Sequence, residues 1–125
     1  MLRVGDLERS LAFYVDTLGM KVVRREEYPQ GRFTLAFVGY SDEAGVTLEL
    51  TYNWGAETPY VHGTGFGHVA IAVGDIAEVC ERVRSAGFTV SREPGPMAFR
   101  SRDGPPEHIA FLRDPDGYVV ELVQR

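Results

Sequence analysis

The chain of 125 residues is 44% hydrophobic and 25% charged, carries a formal net charge of -5 and holds one cysteine, Cys80. A lone cysteine excludes an intramolecular disulfide framework and a CxxC metal cluster, and on an amphipathic segment it reads as a small buried hydrophobe. The acidic balance argues against a nucleic-acid partner, no apolar run reaches the roughly 18 to 20 residues of a membrane helix, and no leader-like segment opens the chain, so the sequence predicts a cytoplasmic protein. Twelve of the thirteen basic residues are Arg, a bias that suits carboxylate recognition because guanidinium forks grip oxyanions bidentately.

In chain order, Leu2 to Val23 (LRVGDLERSLAFYVDTLGMKVV) runs a short strand into Gly5-Asp6, a helix, a glycine and a β-branched strand. Asp6 is the expected helix cap, Leu7, Leu11, Tyr14 and Leu18 the apolar stripe, and Gly19 the left-handed stop. Phe37 to Leu50 reads as a hairpin that turns over Ser41 to Gly45 and closes on Glu49-Leu50. After a linker from Asn53 to Gly67 the plan repeats: Ala70 to Val90 (AIAVGDIAEVCERVRSAGFTV) places Asp75, Ile76, Val79, Val83 and Gly87 in the same roles. Gly5 to Gly19 is 14 residues and Gly74 to Gly87 is 13, so the second copy is one residue shorter. A long loop, Glu93 to Glu107, holds four of the seven prolines. Phe111 to Leu122 then forms a second hairpin, turning at Asp114-Pro115-Asp116-Gly117 and closing on Glu121-Leu122. The prediction is an α+β fold in one domain, residues 1–125, built from two βαβββ repeats at about 1–55 and 66–125, with curled mixed sheets around a metal site. Each half is too short to bury a sizeable core, so the halves should complete a common structure or exchange with a partner chain.

Strand alternation sets Val46, Leu48, Leu50 and Tyr52 on one face and Thr47, Glu49 and Thr51 on the other, and in the last strand it sets Val120 and Leu122 against Val119, Glu121 and Val123. Glu121 thus stands in an apolar row, where a carboxylate needs a proton or a positive partner. His68 shares a face with Ala70 and Ala72, small residues that leave room above a sheet. It lies six residues before Gly74, and six before Gly5 falls two residues upstream of Met1, so the duplication asks for a fourth position outside the sequence. Two Glu and two ring nitrogens would make a mixed oxygen and nitrogen site for a divalent first-row metal. His62 and His108 match neither position and read as loop and edge histidines. Gly63, Gly65 and Gly67 precede a strand instead of joining a strand to a helix, which excludes a phosphate loop.

MLRVGDLERSLAFY, LAFVGY, LELTYNWG, GFGHVAIAV and DPDGYVVELV resemble the glyoxalase I family, lactoylglutathione lyases of the vicinal oxygen chelate superfamily, over almost the whole chain. The resemblance, closest to the compact bacterial type, implies Glu49, His68 and Glu121 as metal ligands, with the family's first ligand, His or Gln, two residues before Met1. It implies nickel or cobalt in preference to zinc, and Arg3 and Asn53 as glutathione-binding residues. Arg3 also has the parity of the missing ligand. Arg100 and Arg102 are candidates, by charge, for the glutathione carboxylate, in a loop that departs from the family in length and composition. The reaction implied is isomerisation of the methylglyoxal-glutathione hemithioacetal to S-lactoylglutathione through an enediolate, with Glu121 as base and Glu49 as the second carboxylate across the substrate carbon. A homodimer is expected, with neither nucleic acid nor membrane as partner. Within the superfamily the rivals are an epimerase, a thiol transferase, a metal-free binding protein and a dioxygenase; the last needs two His and one carboxylate, and two Glu with His suit proton transfer better. The chain as written should bind metal more weakly than one extended by His-Thr.

Overall fold

Asp6 and Asp75 start the two helices in the same way: each side chain accepts a hydrogen bond from the backbone N–H three residues on, of Arg9 and Glu78, at 3.0 Å. The structure, a computed structural model, describes residues 1–41 and 45–125, and the chain divides into two compact units, Met1–Val61 and His62–Arg125. The division falls inside the predicted linker. Unit 1 runs β1 (Leu2–Arg3), α1 (Leu7–Leu11), a π-helical turn (Ala12–Thr17), β2 (Lys21–Tyr28), β3 (Phe33–Gly39) and β4 (Leu48–Asn53). Unit 2 runs β5 (Val69–Val73), α2 (Ile76–Ser85), β6 (Thr89–Pro96), β7 (His108–Arg113) and β8 (Val119–Gln124).

The sheet orders are β1-β4-β3-β2 and β5-β8-β7-β6. In each, the first pair is parallel and the others antiparallel, so the βαβββ plan holds in both copies. In each unit one sheet face and the helical stripe are buried. Leu2, Ala36, Val38 and Leu50 join Leu7, Phe13 and Tyr14 in unit 1; Ile71, Ala110, Leu112, Val120 and Leu122 join Ile76, Val79, Cys80 and Val83 in unit 2. Burying one such aliphatic side chain is worth about 1.5–3 kcal/mol. Cys80 is fully buried, as its helical position predicts, and burial pushes its thiol up.

Three local expectations are corrected. The first helix is not regular to Leu18: after five α-helical residues it widens, and Leu18 N–H reaches back five residues to Phe13 O at 3.0 Å, while the Thr17 hydroxyl donates to Ala12 O at 2.9 Å. A π turn takes up one residue more than an α turn, which accommodates the additional residue between Gly5 and Gly19. It also shifts burial, so that Phe13, Ser10 and Thr17 are buried while Leu11 is only half-buried. Both stops stay left-handed, with φ of 77° at Gly19 and 83° at Gly87.

Secondly, the strand expected from Val46 begins at Leu48, whose register partner is Val38, and Val46 is exposed. The turn expected over Ser41 to Gly45 lies mostly at positions 42–44, outside the described residues. Thirdly, Glu93 to Pro96 is not loop but the end of β6, paired to β7 across two register shifts. Proline, which lacks a ladder donor, is tolerated at a sheet edge, and β6 is such an edge. The turn after β7 is as expected: Asp114 Oδ1 accepts the Asp116 and Tyr118 N–H groups at 2.9 Å, and Gly117 has φ of 83°. No helix is long and apolar enough to cross a membrane among the described residues.

Candidate active site

On the sheet face away from each core, strand register lines up the same three residue types. In unit 1 Arg24 pairs with Phe37 and Phe37 with Glu49. In unit 2 Arg92 pairs with Phe111 and Phe111 with Glu121. A shift between Val22 and Arg24, matched by one between Val90 and Arg92, brings each Arg into this row, since an extra residue in a strand exchanges its two faces.

Ala70 pairs with Glu121, which puts His68, two residues earlier, on the same face. His68 Nε2 lies 3.0 Å from Glu121 Oε2, with the Glu121 side chain 14% exposed and that of His68 45% exposed. The His68 ring is 6.0 Å from that of Phe111. Beside it opens a cleft of about 300 Å³ that includes Arg92, Phe111, Arg113 and Val119. An imidazole nitrogen beside a carboxylate oxygen is a mixed donor set of the kind that takes divalent first-row metals. The chemistry of this pair therefore fits a divalent ion.

Glu49 occupies the equivalent position in unit 1. It is half-buried, and its Oε1 accepts a hydrogen bond from the Thr51 hydroxyl at 3.2 Å. Arg3 pairs with Thr51 and Phe33 with Asn53, so Arg3, Glu49 and Asn53 share one face, as alternation predicts. The Asn53 amide donates to the Tyr60 hydroxyl at 3.3 Å. Unit 1 thus gathers Arg3, Glu49 and Asn53, and unit 2 gathers His68 and Glu121. Among the described residues no three His, Cys, Asp or Glu side chains converge on a single point. Arg100 and Arg102 are exposed on the loop after β6.

Sequence reasoning overlooked the Arg and Phe members of the two rows, although Arg24 and Arg92 each lie five residues after the glycine stop. The Arg24 guanidinium sits 4.1 Å over the Phe37 ring, and its Nε is 3.3 Å from Glu26. Arg92 donates instead to Ile109 O and Pro96 O at 2.8 Å and to Gly95 O at 3.4 Å, stitching the irregular end of β6 to β7. His62 is more than a loop histidine: its ring stacks on Tyr118 at 4.0 Å, with Phe66 edge-on to Tyr118 at 5.1 Å. His108 sits exposed at the start of β7, as expected.

With this sheet order and paired carboxylates, the chain belongs to the Glyoxalase/Bleomycin resistance protein/Dioxygenase superfamily, whose family model matches residues 1–122. Within it the chain is similar to lactoylglutathione lyases. It is 54% identical over 126 residues to the lactoylglutathione lyase of Neisseria meningitidis, covering 100% of this chain and 87% of the relative. It is 51% identical over 125 residues to the probable lactoylglutathione lyase of Vibrio parahaemolyticus, covering 99% and 86%. The crystal structure of glyoxalase I from Zea mays matches with a TM-score of 0.87 at 44% identity, over 98% of this chain and 42% of that one. The chain therefore spans less than half the length of the maize protein.

Proposed function

We propose that the chain is a metal-dependent lactoylglutathione lyase that isomerises the methylglyoxal-glutathione hemithioacetal to S-lactoylglutathione. The observation that carries this reading is the His68–Glu121 pair at 3.0 Å, on a face whose counterpart in the other repeat holds Glu49. Glu49, His68 and Glu121 are the candidate ligands, and a bound divalent ion supplies Lewis-acid polarisation of the substrate oxygens and stabilises developing enediolate charge. Nickel or cobalt is our choice over zinc, resting on the resemblance to the compact bacterial type; the imidazole and carboxylate donors are compatible with either.

Glu121 is the base. Its carboxylate, beside His68 at 3.0 Å, takes the proton from one carbon and returns it to the next. Val119 and Val123 flank Glu121 on the same face of β8. Glu49 is the second carboxylate, on the opposite side of the substrate carbon. Arg3 and Asn53 bind the glutathione moiety and so fix the reacting end, and Arg100 and Arg102 are candidates for its carboxylate. A homodimer is supported by the exposed edge strands β2 and β6 and by exposed Ala70 and Ala72 on the site face. A glutathione adduct as substrate and a free Cys80 are consistent with the cytoplasm.

The test is direct. Protein stripped of metal and reloaded with nickel, cobalt or zinc is given preformed hemithioacetal, and S-lactoylglutathione is followed. Turnover restored by nickel or cobalt is expected; no turnover with any of the three rejects the assignment. Sedimentation should show a dimer at micromolar concentration, and an active monomer there rejects that part of the reading.

A further inference from the structure

We propose that Thr51 is a positioning residue for the metal site, holding the Glu49 carboxylate in the orientation that presents its free oxygen. The argument starts from the repeat. Arg3 pairs with Thr51 as Ala72 pairs with Val123, and each of these β4 and β8 residues follows its glutamate by two, so Thr51 and Val123 occupy the same place in the two units. Valine and threonine have nearly the same shape, and both suit a strand.

At a position only 9% exposed, a hydroxyl is costly unless bonded, and Thr51 bonds Glu49 Oε1 at 3.2 Å. Among the described residues no other group bonds the Glu49 carboxylate. The matching place beside Glu121 is Val123, which has no hydroxyl to offer. Of the two equivalent places, only that in unit 1 carries a hydroxyl, and that hydroxyl is spent on the carboxylate. A hydrogen bond to one carboxylate oxygen restricts rotation of the group and leaves Oε2 open.

This inference rests on the reading of Glu49 as a metal ligand, so the experiment carries an arm for each. Metal-free protein is titrated with nickel against a competing chelating dye, which reads affinity without turnover. Glu49→Gln should bind nickel far more weakly than the wild type; equal binding removes Glu49 from the ligand set and the inference with it. With Glu49 established, Thr51→Val should weaken nickel affinity about 10- to 100-fold, the usual loss for an outer partner of a ligand. Thr51→Ser, which keeps the hydroxyl, should bind close to wild type. Metal-free Thr51→Val should melt within a few degrees of wild type; if it does not fold, Thr51→Ala carries the same expectation. Wild-type affinity in Thr51→Val, or an equal loss in Thr51→Ser, overturns the positioning role while leaving the ligand reading intact.

Discussion

Units 1 and 2 reach the same strand order from the same plan, yet they differ where their chemistry would differ. Both cap a helix with Asp, stop it with a left-handed glycine, and line up Arg, Phe and Glu across the face away from the core. In unit 1 the helix contains a π turn, the Arg stacks on its Phe, and the Glu is held by a hydroxyl. In unit 2 the helix is uninterrupted, the Arg stitches backbone carbonyls, and the Glu faces an imidazole at 3.0 Å. Topology follows from what the copies share, namely apolar parity, caps and turns. The proposed division of labour between the two carboxylates follows from what they do not share.

The largest expected effect tests that division. Glu121→Gln should lower kcat by about 10²- to 10⁴-fold, the range for removing a positioned general base, with circular dichroism unchanged. Glu49→Gln should act first on metal affinity, and part of its turnover should return as metal is raised. Identical responses of the two variants in a metal titration of kcat would mean that the repeats are chemically equivalent.

The next effect separates the two cores. Leu50→Ala and Leu122→Ala remove fully buried, register-equivalent side chains, and each should cost about 2–5 kcal/mol. If the units unfold separately, urea denaturation resolves two transitions and each variant moves a different one. A single transition moved alike by both shows that the units unfold together.

Smaller still is the cost at the glycine stops. Gly19→Ala and Gly87→Ala force a β-carbon into left-handed backbone, at about 1–2 kcal/mol each. Neither glycine has a neighbour within 4 Å of where that carbon would sit, so backbone conformation alone sets the penalty, and melting temperatures of the two variants should fall by similar amounts. A clearly larger loss at Gly19 would show that the π turn depends on its stop more than the regular helix does.

The smallest effect belongs to unit 2 alone. Because burial raises the Cys80 thiol, the folded state keeps a proton that the unfolded chain releases above the ordinary thiol range. This contribution is fully present below that range and is lost as pH rises through the raised value. The stability gap between wild type and Cys80→Ala should therefore narrow as urea midpoints are measured at rising alkaline pH; a gap that widens contradicts the burial argument.

Much of this was legible in the sequence, for identifiable reasons. Period-two alternation gave the faces of Glu49 and Glu121 correctly, because a strand has only two sides, and the Asp and Gly signals marked both helix ends. The π turn was less visible: the extra residue before Gly19 was countable, but not whether it would lengthen the helix, bulge it or enlarge a loop. The row formed by Arg24, Phe37 and Glu49 was hidden because a register shift reverses parity partway along β2. Pro94 and Pro96 signal a break at the end of β6, and only pairing to β7 with Arg92 closing the gaps makes them an edge strand. Thr51 carried no signal by itself; its role emerges only when its register with Arg3 is set beside that of Val123 with Ala72.

The order in which strands appear along the chain bears on biosynthesis. The parallel partner of β1 is β4, so the first sheet lacks a partner for β1 until Leu48 to Asn53 has been made, and from then on it has all its strands. Every strand of unit 2 is synthesised later. A nascent chain can therefore settle its first sheet before β5 emerges from the ribosome. That timing separates two units built on one strand order, and misassembly between units is the characteristic failure of chains built from repeats.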